Sequence, residues 1–116
     1  MGAPIVHFEI MGKDAVKLQQ FYAELFDWKI ADPIPDMGMY GPVDAASSGL
    51  PGGIGQDPTG NPRVSIYAQV PDLQATLDKA IASGATMLMP PTEIPGVVTM
   101  AMFADPEGNM MGLVKG

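Results

Sequence analysis

The 116-residue sequence contains no cysteine, which excludes disulfide cross-links, thiol nucleophiles and thiolate-ligated metals. Histidine and tryptophan occur once each, so one chain cannot assemble a site that needs two imidazoles. Positive charge is scarce too. Six lysines and arginines face 13 aspartates and glutamates, for a formal net charge of −7 and a pI near 4.3. That balance argues against nucleic acid, whose phosphates demand a basic surface, and permits a cationic or neutral ligand. No apolar run approaches the ~20 residues of a membrane span. Met1-Gly2-Ala3-Pro4 leads straight into an alternating stretch without a basic region or a long apolar segment, so no secretory leader is expected. With cysteine absent, the expected compartment is the cytoplasm.

What is present is period. Ile5 to Ile10 alternates, with Val6, Phe8 and Ile10 on one side and Ile5, His7 and Glu9 on the other. A turn at Gly12 and an N-cap at Asp14 follow, and then Leu18, Phe21, Tyr22 and Leu25 at helical spacing. Strand, turn and helix then recur. Val64 to Val70 alternates, Asp72 caps, and Leu73, Leu77, Ala80 and Ile81 line a second helix that stops at Ser83-Gly84. His7 to Ser65 and Asp14 to Asp72 are each 58 residues apart, half the chain, which points to two copies of one unit.

Between these landmarks, Lys29 to Ala31 and Met37 to Val43 read as short strands, and Ala45 to Pro51 as a small, polar, mobile connection. Gly52-Gly53-Ile54-Gly55-Gln56 reads as a strand whose glycines let something approach the backbone. Asp57 to Pro62 joins the halves. In the second half, Ala85 to Met89 is a strand stopped by Pro90-Pro91, Gly96 to Ala104 another, Asp105 to Asn109 a turn, and Met110 to Val114 the last strand. The expectation is an α+β fold of two βαβββ modules, with about eight strands and two helices.

Two stretches carry a family resemblance: Val6 to Trp28 with its Phe21-Tyr22…Leu25-Phe26-x-Trp28 ending, and Phe103-Ala104-Asp105-Pro106-Glu107-Gly108-Asn109-x-x-Gly112-Leu113. Both resemble the vicinal oxygen chelate superfamily of glyoxalase I, bleomycin-resistance proteins and extradiol dioxygenases, and in particular its short glyoxalase-like members. The resemblance implies one domain over residues 1–116, with pseudo-repeats at about 4–57 and 63–116 curving round one cleft. In metal-dependent members the ligands come from the first and last strands of each module. Those positions fall on His7, Ser65, Gly112 and the Gly53-Ile54-Gly55 stretch, so one donor of four is kept. A transition metal needs three or four, so neither metal nor other cofactor is expected, leaving only a site shared between subunits.

The candidate catalytic residues are therefore His7 as base and Glu9 beside it. Candidate substrate contacts are Ser65, Tyr67, Gln69, Met100, Met102, Met110 and Gly112, on an apolar, methionine-lined cleft that the glycines would leave open. Arg63 precedes a strand at the joint and is not placed to stabilise an enolate. Two functions fit. One is a metal-independent, glyoxalase-like lyase or isomerase for a small carbonyl compound, with His7 helped by Glu9 and Tyr67. The other is a non-catalytic protein that sequesters a drug-like or cationic small molecule. A homodimer is expected, with Met87 to Pro91 and the strand near Gly53 as edges that need a cover.

Overall fold

Two aspartates start the two long helices. Asp14 Oδ1 accepts the amide of Lys17, and Asp72 Oδ1 accepts that of Ala75, so each N-caps the helix behind it. In this computed structural model residues 2–116 are described. They divide into one unit of His7–Ser65 and another of residues 2–6 with Ile66–Gly116. Strands β1 (Ile5–Gly12) and β4 (Arg63–Val70) each straddle that division.

The first unit continues from β1 through α1 (Ala15–Phe26), a 3-10 turn at Pro35–Met37, β2 (Gly41–Val43), α2 (Ala45–Ser48) and β3 (Gly52–Gln56). Its strand order is β2-β3-β1. β1 lies parallel to β3, with Glu9 opposite Gly53, and β2 is antiparallel to β3. The second unit continues from β4 through α3 (Leu73–Ala82), β5 (Thr86–Ile94), β6 (Val98–Ala104) and β7 (Met110–Lys115), in the order β5-β6-β7-β4. Here β4 is parallel to β7, with Tyr67 opposite Gly112. In both units the first strand pairs with the last, a parallel pairing that a helical crossover makes possible. The fold is α+β, of the βαβββ type.

Several boundaries differ from the sequence reading. The described residues form seven strands and three α-helices, not eight and two. The strand expected at Lys29–Ala31 shrinks to a single bridge, Ile30 with Val43. The connection expected to be mobile instead holds α2, capped by Asp44 Oδ1 on the amide of Ala46. β5 does not stop at Pro90-Pro91 but runs on to Ile94, with register shifts around Met89. Proline is tolerated there because β5 is the outer strand of its unit. The strand at Gly53 is no edge: β3 is paired on both sides and residues 52–55 are buried.

The face of α1 also divides differently. Ala15 and Gln19 are buried, while Phe21 and Leu25 are more than half exposed. Tyr22 turns inward to stack on Trp28, centroids 5.6 Å apart, and Trp28 lies 5.4 Å from Phe8. Gly52 makes room for the Phe8 ring. In the second unit α3 sets Leu73 and Leu77 against Val70, Ala101 and Leu113. Leu77 is completely buried.

On the opposite face of the strands of that unit the Tyr67 ring lies against Gly112, where any Cβ would overlap it. β7 is held between β4 and β6 and has no room to retreat. We therefore expect Gly112→Ala to cost about 1–3 kcal/mol, the range for overpacking a fixed core. Tyr67→Ala should make the same glycine substitution nearly neutral. Urea unfolding of the two single variants and the double variant checks this.

Candidate functional site

The chemistry-bearing side chains of the first unit start on β1, where alternation places His7 and Glu9 on the face away from α1. Glu9 is buried and His7 partly so. The residue that joins them is Tyr40. Gly38 and Met39 both have left-handed backbone angles, φ 65° and 54°, a conformation that a methionine adopts only under constraint. The constraint is Gln19, buried on the inner side of α1, whose Nε2 donates to the Met39 carbonyl at 2.8 Å and to the Ile54 carbonyl at 2.7 Å. This tight turn lays the Tyr40 ring over Gly53 and Gly55, where any side chain would collide with it.

From there the Tyr40 hydroxyl donates to Glu9 Oε2 at 3.1 Å and stands 2.8 Å from His7 Nε2. Arg63 closes the other side of Glu9. Its Nη1 donates to Glu9 Oε1 at 2.9 Å and to Ser65 Oγ at 2.9 Å, and its Nε donates to Asp57 Oδ2 at 3.2 Å. Asp57 accepts from the hydroxyl and the amide of Thr59, and these bonds, helped by Arg63, hold its carboxyl down to about 2. Burial lowers the His7 pKa below its usual 6.5, and the negative charge of Glu9 only partly opposes this. His7 is therefore neutral at pH 7. With the phenol donating to Glu9, the phenol oxygen can accept the Nε2 proton, which leaves Nδ1 with the lone pair.

The sequence-predicted residues separate into two groups. His7, Glu9 and Ser65 meet in the first unit, joined by Tyr40 and Arg63. Tyr67, Met102 and Gly112 meet in the second, in register across β4, β7 and β6, with the Tyr67 hydroxyl 4.0 Å from Met102 Sδ. Gln69, Met100 and Met110 share that strand face by register.

Two expectations are corrected here. The glycines do not open the strand face at Gly53 and Gly112, because tyrosine rings fill both places and Tyr67 and Met102 are themselves buried. Arg63 is not a bystander at the joint, since its guanidinium binds the carboxylate beside His7. The Ser65 hydroxyl, read as a ligand contact, accepts from Arg63 and is 2% exposed.

The residues present do not fit the divalent ion that the superfamily implies. Among the described residues no three histidine, cysteine, aspartate or glutamate side chains stand together. The last-strand positions are glycines whose side-chain space is already occupied. The sequence reading missed Tyr40, Gln19 and Asp57. One signal was available: glycines flanking the buried Ile54 require a bulky neighbour to fill the space above them, although nothing in the sequence says which one.

A family model described as a glyoxalase-like domain matches residues 7–114. CFP32 of Mycobacterium tuberculosis, whose name carries a provisional glyoxylase assignment, is 30% identical over 90% of this chain and 42% of its own length. The anthracycline biosynthesis protein DnrV of Streptomyces peucetius is 29% identical over 92% of this chain and 44% of its own. The chain thus spans less than half the length of these curated relatives. Among solved structures, a glyoxalase/bleomycin resistance protein/dioxygenase superfamily member from Vibrio splendidus superposes with a TM-score of 0.67. It covers 99% of this chain and 100% of its own at 13% identity, a likeness of fold.

Proposed function

Because the chain belongs to the glyoxalase-like domain family, we propose that it acts on a small carbonyl compound by metal-independent proton transfer, as a lyase or isomerase with His7 as the base. The observation that carries this reading is the neutral His7 imidazole held 2.8 Å from the Tyr40 hydroxyl. A base must be neutral and its ring fixed. The Tyr40 bond fixes the ring through Nε2, and Nδ1 is the atom assigned to take a proton from the carbon next to a carbonyl. The imidazolium so formed sits near the Glu9 carboxylate, which favours it. Glu9 supports this step by its charge rather than as a second base, because Arg63 and Tyr40 already occupy its oxygens.

One observation favours the second reading, a non-catalytic binder. The second unit offers half-buried Met100 and Met110 along one strand face, and methionine adapts to ligands of varied shape. The two readings separate in D₂O. With dihydroxyacetone and the methylglyoxal–mercaptoethanol hemithioacetal as probes, the proton-transfer reading expects enzyme-dependent deuterium uptake by NMR that survives chelator treatment. The rate should rise with pH as His7 loses its proton, with a midpoint below the usual 6.5 because burial lowers its pKa. His7→Gln should reduce exchange by about 10²-fold or more, the usual worth of a general base. Saturable binding without exchange would support the binder.

The same proposal includes pairing of two copies. β5 ends its unit with Met87 and Leu88 44% and 48% exposed, an apolar edge that a second copy would cover. Light scattering should give twice the 12.2 kDa chain mass. A mass of one chain across micromolar concentrations would contradict it.

A further inference from the structure

A groove meets the His7 cluster only at Arg63, where the start of α1 faces the segment that leads into β4. It has a volume of about 730 Å³, within the ~300–1,000 Å³ of small-molecule sites. Ile10, Phe21, Tyr22 and Val64 supply apolar walls, and Phe21 and Val64 are 55% and 71% exposed. Such exposure is costly for side chains of this size, roughly 25 cal/mol for each Å² left in water.

The charge around this groove runs against the rest of the chain. Lys13, Lys17 and Arg63 all line it, three of the six cations in a protein of net charge −7. Arg63 is committed to Glu9 and Asp57. Lys13 and Lys17 take part in none of the ion pairs among the described residues. The one acid in the lining, Asp14, caps α1 through the amide of Lys17. The local balance is cationic over an apolar floor.

From this pairing of charge and surface we infer that the groove is a binding site for a small anion with a flat or aliphatic body, such as an aromatic carboxylate. The apolar part lies against Phe21, Tyr22 and Val64, and the carboxylate is met by Lys13 and Lys17. The inference does not rest on the proton-transfer reading, and its residues touch neither His7 nor Tyr40 in any described hydrogen bond. A second copy seated on Phe21 is the competing occupant.

The test uses three matched probes: 2-naphthoate, the neutral 2-naphthamide, and the cationic 2-naphthylmethylammonium. Titration of the full chain, followed by NMR, should shift Lys13, Lys17, Phe21 and Val64 with naphthoate. The amide should bind more weakly and the ammonium least. Lys13→Gln with Lys17→Gln should weaken naphthoate about tenfold, an effect that fades as salt is raised, and leave the amide unchanged. The lysines are exposed, so the variant keeps its fold, and His7-dependent deuterium exchange should be unaltered. Equal binding of the three probes, shifts centred on His7 or Tyr40, or a groove shielded because two chains meet at Phe21, would each overturn the inference.

Discussion

The constraint on which the first unit turns is the burial of Glu9. A carboxylate that is 8% exposed must be paired, because stripping one partner from a buried ion pair costs about 3–5 kcal/mol while the intact pair contributes little net stability. Its partners therefore explain more than stability. Arg63 is drawn across from β4 and Tyr40 down from the turn before β2, and each brings a further residue. Arg63 also binds Ser65 and Asp57, and Tyr40 meets His7. Gln19 in turn holds the left-handed turn that aims Tyr40. One buried charge thus ties α1, β1, the β2 turn and the start of β4 into a single arrangement, and the histidine is oriented as a consequence.

The same pattern, a glycine opposite the first strand with an aromatic ring above it, recurs in both units. The parallel pairing of first and last strands survives in both units. Opposite each first strand stands a glycine, Gly53 and Gly112, and a tyrosine ring fills the space above it in each unit. In the first unit the incoming ring brings a hydroxyl to His7. In the second it brings one to the Met102 sulfur, where only a weak contact is made. The first unit is therefore polar and hydrogen-bonded on this face, and the second is mainly apolar.

Much of the backbone was legible because its signals are local. Alternation in Ile5–Ile10 and Val64–Val70 and the caps at Asp14 and Asp72 each act within a few residues, and the strands and helices they announce are present in the structure. The apolar stripe of α1 was only half legible. Spacing alone cannot tell that buried Gln19 would displace Phe21 from the inner face, since its two carbonyl partners are 20 and 35 residues away. Arg63 was set aside and Tyr40 escaped notice for the same reason. Each reaches His7 or Glu9 over 31 to 54 residues of sequence, and neither position carries a motif.

The central claim is that His7 is a neutral, fixed imidazole whose Nε2 side belongs to Tyr40. As the only histidine in the chain, it gives a single set of ring signals, and a pH titration followed by ¹⁵N–¹H NMR measures it directly. The account expects a midpoint below 6.5, a neutral ring at pH 7 with the proton on Nε2, and a shift of both tautomer and midpoint in Tyr40→Phe. A ring that titrates above 6.5, or one that Tyr40→Phe leaves unchanged, would contradict it.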